Sequence, residues 1–461
     1  MAEQNVMLEK TLISLLNDKK YITLRDILIT MNPADIAAIF DALEEDRLPL
    51  LYRLLPKELA ADTFVEMEPE AQELLIRGFS DSELKEVISE LYVDDAVDLV
   101  EEMPANVIRR ILSQADPEMR KSINEILRYP ENSAGSIMTT EYVSLRPDMT
   151  AAEAITRIRR TGVDKETIYT CYVTKDRYLQ GIVTVKDLLL CDDDEVTMKD
   201  LMITNVIHVH TQDDQEEVAQ KFSKYNFLAL PVLDSEERMV GIVTFDDAMD
   251  VMEDEATEDI EKMAAIIPSD KAYMRSGVAD IFKKRIPWLM LLMVSATFTG
   301  MIISHYEEQL GALLCLSAFM PMLMDTAGNA GSQASVSIIR GLSLNEIKFS
   351  DILKVIWKEI RVAVLCGLCM AVVCFFKIWL LDGMVLGTSG VDAVVACVVA
   401  LTLAITVLLA KVVGCTLPML ADKLGFDPAV MASPFITTIV DALSLMIYFQ
   451  IACQLLGSRM G

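Results

Sequence analysis

Two sets of carboxylates stand where packing alone gives no reason for them. The first is the run over residues 246–261, Asp-Asp-Ala-Met-Asp-Val-Met-Glu-Asp-Glu-Ala-Thr-Glu-Asp-Ile-Glu. At 3.6 residues per turn, Asp247, Asp250, Asp254, Glu258 and Glu261 share one helix face. Like charges three and four residues apart repel by a few tenths of a kcal/mol per pair. No lysine or arginine within the run offsets them before Lys262. Such a stripe is either a solvated face or a surface on which cations bind. The second set is one residue, Asp441, in the apolar run 430–456, at the end of Thr437-Thr-Ile-Val-Asp441 and followed by Ser444 and Tyr448. A carboxylate in a membrane-spanning segment costs several kcal/mol unless it meets water, a partner or an ion. Magnesium dehydrates reluctantly, so a hydrated ion held through its waters suits such a site. A structural bond to a neighbouring helix, with Lys411 as partner, and a proton relay are the alternatives.

Another apolar run is interrupted by polar and small residues, Pro321-Met-Leu-Met-Asp-Thr-Ala-Gly-Asn-Ala-Gly-Ser-Gln333. Proline and glycines loosen a helix and can bare its carbonyls, which lipid tolerates only where the segment lines a cavity or packs in protein. This run and Asp441 belong to two of five apolar stretches, roughly Ile286–Ser304, Leu310–Ile338, Val362–Leu381, Ala393–Leu420 and Val430–Leu456. Each supplies the ~20 residues a spanning helix needs. Lys283, Lys284 and Arg285 precede the first stretch, and Arg340, Lys348, Lys354, Lys358 and Arg361 lie between the second and third. The loops around His305-Tyr-Glu-Glu and Asp382–Asp392 have neither lysine nor arginine. The positive-inside rule then puts the amino terminus in the cytosol and the carboxyl terminus outside. The start, Met-Ala-Glu-Gln-Asn-Val, lacks the basic and apolar regions of a signal peptide. An odd span count with one orientation suits a symmetric dimer.

The chain carries 69 acidic against 41 basic residues, a net charge of −28, yet its mean hydropathy is positive. The two properties are segregated, with acid concentrated before Arg285 and apolar runs after it. Excess acid excludes nucleic acid as a partner, since phosphate binding needs lysine and arginine. It suits cations, although most of these carboxylates serve only solubility. Cys366 and Cys369 have CxxC spacing, but inside an apolar run and with no second pair they read as packing residues.

Upstream, residues 11–129 read as short amphipathic helices with prolines near their starts, Pro33, Pro56, Pro69, Pro104 and Pro117. The repetition suggests a small superhelical stack of helices, with an irregular bundle as the alternative. From Gly135 to Asp250 the pattern is α/β and duplicated. One copy ends in Gly181-Ile-Val-Thr-Val-Lys-Asp187 and the other in Gly241-Ile-Val-Thr-Phe-Asp-Asp247. These motifs resemble the ends of a pair of CBS domains. The resemblance implies an adenine-nucleotide site, for ATP, at Thr184, Lys186 and Asp187, with Tyr169 and Phe227 as ring neighbours. Empty, purely structural CBS sites are the other reading.

The order of parts, with Gly328-Asn-Ala-Gly-Ser-Gln333, Asp427-Pro428 and Thr437-Thr-Ile-Val-Asp441, resembles the MgtE family of magnesium transporters and channels over essentially the whole chain. The family usually has glycine where this chain has Ala327, and often where it has Ser444. The resemblance implies a multidomain fold: an acidic helical N domain over 1–130, a CBS pair over 131–250, a connecting plug helix over 251–283 and five spans over 284–461. It implies a homodimer in the lipid of the cell membrane, its pore lined by the second and fifth spans. Candidate pore residues are Asp325, Gly328, Asn329, Gly331, Gln333 and Asp441. Cytosolic magnesium, by the same resemblance, bridges plug residues Asp247, Asp250, Glu255, Glu258 and Asp259, CBS positions Gly135, Asp214 and Glu216, and N-domain acids Asp62, Asp94 and Asp98. Asn226 stands where an aspartate is expected, which weakens one sensor position.

A channel closed by internal magnesium and modulated by ATP is therefore expected, with no enzymatic activity. The chain has no GxxxxGK[ST] loop and no HExxH motif. Two other classes are a proton-coupled or broader divalent-cation exporter and a membrane-tethered magnesium or nucleotide sensor.

Overall fold

The structure is a computed structural model that describes residues 11–41, 43, 46–269, 273, 276–310, 314–386, 390–431 and 433–460. The first six residues and residues 387–389 of the Asp382–Asp392 loop lie outside the described residues. Two compact units divide the chain, Met1–Met252 and Glu253–Gly461.

In the first unit the prolines act as read. Pro33–Asp41, Pro69–Gly78 and Pro117–Ile126 begin on proline, while Pro56 and Pro104 take the cap position before Lys57–Val65 and Ala105–Gln114. The fixed φ of proline suits both places, and its missing N–H has no partner to lose there. Alternate helices stack, Pro33–Asp41 on Lys57–Val65, that helix on Asp81–Ile88, and that on Ala105–Gln114. This is the stacked arrangement rather than an irregular bundle. Helix α1 (Val93–Glu102) buries Val93, Ala96, Val97, Leu99 and Val100.

The duplicated part makes two three-stranded sheets. In the first, β1 (Tyr142–Leu145) runs parallel to β2 (Thr167–Lys175), which pairs antiparallel with β3 (Tyr178–Thr184). In the second, β4 (Val209–His210) is followed by α2 (Gln215–Tyr225). The parallel partner of β4 is β5 (Ala229–Leu233), which pairs antiparallel with β6 (Met239–Thr244). Val209, Val232 and Val243 join Leu75, Ala96 and Ile111 in one hydrophobic core, so the helical stack and the second repeat are packed together.

Strand β6 leads directly into α3 (Phe245–Met263), and the division between the units falls inside this helix. The sequence reading carried the acidic helix on to Lys283, but α3 ends at Met263. Ala265 takes a left-handed φ of 56°, Pro268 follows, and the Glu261 carboxylate accepts the Ser269 N–H at 2.8 Å, closing the chain into a turn.

In the second unit α4 (Val278–Leu310) carries Lys283–Arg285 on the same helix as the first apolar stretch. Then follow α5 (Met320–Ser343), α6 (Ile352–Phe376), α7 (Ala393–Lys423) and α8 (Ser433–Met460). Four segments are long and apolar enough to cross a membrane, Val278–Tyr306, Phe349–Val385, Ala393–Lys423 and Pro428–Leu456. Helix α5, with 24 residues, is shorter than these but still long enough to span, and its polar side chains keep it out of that group. It is also continuous, contrary to the broken helix expected from its glycines. A helix retains its backbone bonds through glycine when its neighbours pack closely, and α5 packs on both α7 and α8. Among the described residues no disulfide forms, and Cys369 is exposed on α6.

Candidate permeation and ion-sensing sites

Small residues on α5 decide how near α8 can come. A methyl group on Gly328 would stand 3.1 Å from Thr437 Cγ2 and 3.9 Å from Asp441 Oδ1. One on Gly331 would stand 3.0 Å from Ile436 Cγ2 and 3.2 Å from the Ala410 carbonyl of α7. One on Gly414 would collide with the Gly331 carbonyl. Ala327, Ala330, Ala334 and Ser335 complete the buried face. This small-residue seam is how membrane helices reach close contact without a hydrophobic driving force.

The opposite face of α5 is polar and exposed. Asp325, Asn329 and Gln333 recur every four residues along it, and Arg340 continues the exposed side. The carboxylates of Asp325 and Asp441 are near enough to repel each other. Among the described residues no hydrogen bond or ion pair holds Asp441. Lys411, the partner named for the structural alternative, instead points to Glu359, with Nζ 3.9 Å from Oε2. Thr437 and Thr438 both donate to the Pro434 carbonyl, at 2.9 and 3.0 Å, one turn before Asp441. Ser444, on the same helix, is buried. Tyr448 donates to the Leu316 carbonyl at 2.9 Å.

The first unit gathers many carboxylates into one place. Asp94 on α1 is 7% exposed, and burial, then the charges of Asp247 and Asp95, push its carboxyl well above the usual range. Burial and Asp247 raise Asp95 and Asp98 to about 7. Burial, then Asp95 and Asp247, raise Glu166 to about 8. Asp247 itself is pushed up to about 6 by burial, although the Thr244 hydroxyl and N–H donate to it and oppose the rise. Glu141 accepts the Val93 N–H at 3.1 Å at the amino end of α1, where the helix dipole favours an anion. Glu166 Oε2 is buried with no hydrogen-bond partner. A crowd of like charges under cover, with an orphaned oxygen among them, has the all-oxygen chemistry that suits a hard divalent cation.

Of the acids singled out in the sequence, Asp94, Asp98 and Asp247 meet here, and Asp250 adds its field to Asp247. Asp62 is raised by burial and Glu58, and its charge reaches Tyr92 beside α1. Sequence reasoning missed Asp95, Glu141, Glu166 and Asp246. Asp95 and Asp246 sit beside residues it did name, and that adjacency was the available signal; nothing in the pattern aims Glu141 or Glu166 at α1. Gly135, Asp214 and Glu216 form their own group. Ser133 bridges to Asp214, Gly135 N–H donates to the Thr211 carbonyl, and Asp214 caps α2 through the Glu216 N–H at 2.9 Å. Asn226 ends α2 with φ 55°, a left-handed position that asparagine tolerates well.

The far half of α3 has its own partners in the second unit. Lys262 bonds Glu258 at 2.5 Å and Asp427 at 2.6 Å. Asp427 also caps the turn after it, accepting the Ala429 N–H at 2.7 Å, which accounts for the Asp-Pro motif. Asp259, raised by burial and by Asp427, accepts from Ser343 at 3.3 Å. Glu255 is half-buried on the same helix. Lys262 therefore engages Glu258, one of the expected cation ligands.

At the other repeat, Thr184 Oγ donates to Asp187 Oδ2 at 2.6 Å and the Asp187 N–H donates back to Thr184 Oγ at 3.1 Å, a capping box. Lys186 and Tyr169 are exposed, Tyr169 by 66%, and Phe227 stacks on Tyr225 with ring centres 5.4 Å apart.

The family described as a divalent cation transporter, MgtE, matches residues 320–451, the MgtE intracellular N domain matches 31–132, and the CBS domain matches 134–192 and 198–254. The magnesium transporter MgtE of Thermus thermophilus is 35% identical over 438 residues, covering 94% of this chain and 95% of that protein. The magnesium transporter MgtE of Bacillus subtilis is 33% identical over 452 residues, 97% of each chain. Among solved structures, the cytosolic domain of the Mg2+ channel MgtE in complex with ATP superposes with a TM-score of 0.50 at 35% identity, covering 53% of this chain and 99% of that one. The soluble part of a magnesium transporter gives 0.51 at 32% identity, covering 56% of this chain and 100% of that one.

Proposed function

The chain belongs to the MgtE family of magnesium transporters, and from that premise we propose that it conducts magnesium through a path past Asp441 and closes when cytosolic magnesium fills its carboxylate cluster. It is a multi-pass membrane transporter and not an enzyme. The observation that carries the reading is Asp441, a carboxylate in an apolar helix with no partner among the described residues and within repelling range of Asp325, which begins the exposed polar row continued by Asn329 and Gln333. Lipid does not accept that row, so it faces water or a second copy of the chain. A homodimer with five spans per chain places it along an aqueous path. Uptake needs no nucleotide hydrolysis, because two inward charges gain ~4.6 kcal/mol per 100 mV of membrane potential.

Regulation follows from the other carboxylates. Without a divalent ion, Asp94, Asp95, Asp98, Glu166 and Asp247 repel, and the arrangement that crowds them is disfavoured. Magnesium supplies the missing positive charge and favours the crowded state. Moving an equilibrium from mostly open to mostly closed takes ~5.5 kcal/mol. About four ions, each binding the closed state tenfold better, supply it. ATP binds at Thr184, Lys186 and Asp187 with Tyr169 and Phe227 near its ring, a reading supported by the 35% identical ATP-bound relative. The test is magnesium flux into proteoliposomes with internal magnesium varied. Asp441→Ala is expected to abolish selective flux, and normal selective flux would return Asp441 to a structural role.

A further inference from the structure

The geometry points to a second metal site of different chemistry, in which His208, His210 and Glu237 hold a borderline transition-metal ion such as Zn2+. One ligand atom from each residue lies within 4.8 Å of the other two. The chain has only three histidines, so two at one place is not an accident of a histidine-rich surface.

The fold builds this cluster from both sides. Val209 is fully buried, and strand alternation turns His208 and His210 together to the opposite face, their rings edge-on with centres 5.4 Å apart. His208 Nδ1 stands 3.2 Å from the Val206 carbonyl. A proton on Nδ1 donates there and leaves the Nε2 lone pair for a metal, the usual way a ligand imidazole is oriented. His210 is held through its backbone, whose N–H donates to Asp213 Oδ2 at 3.0 Å. From the other side comes the turn between β5 and β6. Asp234 Oδ1 accepts the N–H groups of Glu236 and Arg238 at 2.8 and 2.9 Å, and Glu237 takes φ 61° between them. That turn sets Glu237 Oε1 3.3 Å from His210 Nε2. Two ligand atoms on one tetrahedral zinc lie about 3.4 Å apart, so this pair already has the required spacing.

Two imidazoles and a carboxylate suit zinc, nickel or cobalt, with a fourth position left to water. Magnesium prefers an all-oxygen shell and is a poor competitor. With His210 41% and Glu237 65% exposed, the ion exchanges directly with solvent. Its occupancy would pin the β5–β6 turn to β4, three residues before the Asp213–Asp214 edge that bonds Ala134 and caps α2. This site is independent of the magnesium reading.

The experiment uses the purified full chain in detergent with millimolar magnesium present to fill oxygen-only sites. Zinc uptake is measured by equilibrium dialysis and elemental analysis. The wild type is expected to hold one equivalent that the His208→Ala/His210→Ala variant loses. Equal uptake by both, or none by the wild type, overturns the assignment. Cobalt gives a second readout: intense tetrahedral absorption that disappears in the double variant supports the site, and the same spectrum in both refutes it. Should the double variant fail to fold, Glu237→Gln on its exposed turn replaces it, with about tenfold weaker zinc binding expected and unchanged binding sinking the proposal.

Discussion

The two CBS repeats end in the same device and put it to different use. In each, a threonine at the end of a strand donates its hydroxyl to an aspartate three residues on, Thr184 to Asp187 and Thr244 to Asp247, and at Thr184 the Asp187 N–H donates back and caps the next helix. Local geometry is shared because local sequence is shared. The surroundings differ. Asp247 is packed among Asp94, Asp95, Asp98 and Glu166, and its carboxyl is pushed up to about 6. Asp187 sits half-exposed on its repeat, next to the exposed Lys186 where the second copy has Asp246. A duplicated motif thus meets different surroundings according to what packs over it, since the field at a carboxylate depends on neighbours from the whole fold.

That contrast is open to attack by mutation. The largest effect is expected on gating. Asp247→Ala should raise the internal magnesium needed for half-inhibition of flux by about tenfold or more, one tenfold step being ~1.4 kcal/mol. Asp187→Ala should leave it nearly unchanged, and equal shifts in patch-clamp or liposome flux would erase the distinction. Next comes the pH response of the cluster. The folded pKa values of about 7 for Asp95 and Asp98 and about 8 for Glu166 lie above those of an unfolded chain, near 4. The folded state therefore holds more protons between them, and stability falls as pH rises. Stabilisation is full below about pH 4, falls progressively as pH rises above it, and is exhausted once pH has passed the folded values of about 7 to 8. Calorimetry of the full chain without magnesium should show a loss on the order of a few kcal/mol over that window. Millimolar magnesium should flatten it, and a pH-independent transition in chelator would contradict the crowding argument.

A smaller effect is expected on nucleotide. Asp187→Ala should weaken ATP binding measured by calorimetric titration, while Asp247→Ala leaves it in place; the reverse pattern would exchange the roles of the repeats. The smallest effect should be common to both. Thr184→Ala and Thr244→Ala each remove a hydroxyl bonded to an aspartate and should cost about 1 kcal/mol of stability by thermal unfolding. A much larger cost at one repeat would mean that its threonine does more than bond that carboxylate.

How far the site was legible varied residue by residue. Asp441 and the polar row of α5 stood out because polar groups in apolar runs violate a one-dimensional expectation. The prolines marked helix starts for the same reason, as their restriction is local. By contrast, Glu141 and Glu166 carry no such mark; each is an ordinary acid until α1 is laid beside it. The end of α3 at Met263 was missed because periodicity continued past it, while Pro268 and the Glu261–Ser269 bond turned the chain. The pairing of Lys262 with Asp427 and of Lys411 with Glu359 was likewise unreadable, since each joins residues far apart in the chain.

By itself, the amino-acid order determined the succession of parts, the long apolar helices, the duplicated Gly-Ile-Val-Thr-x-x-Asp motif and the residues out of keeping with lipid. These depend on hydropathy, spacing and backbone preference, which act over a few residues. Only the tertiary structure decided which acids crowd together, which lysine neutralises which carboxylate, and that α5 stays unbroken between α7 and α8. Burial and charge sum over groups far apart in the chain, so no local pattern contains them.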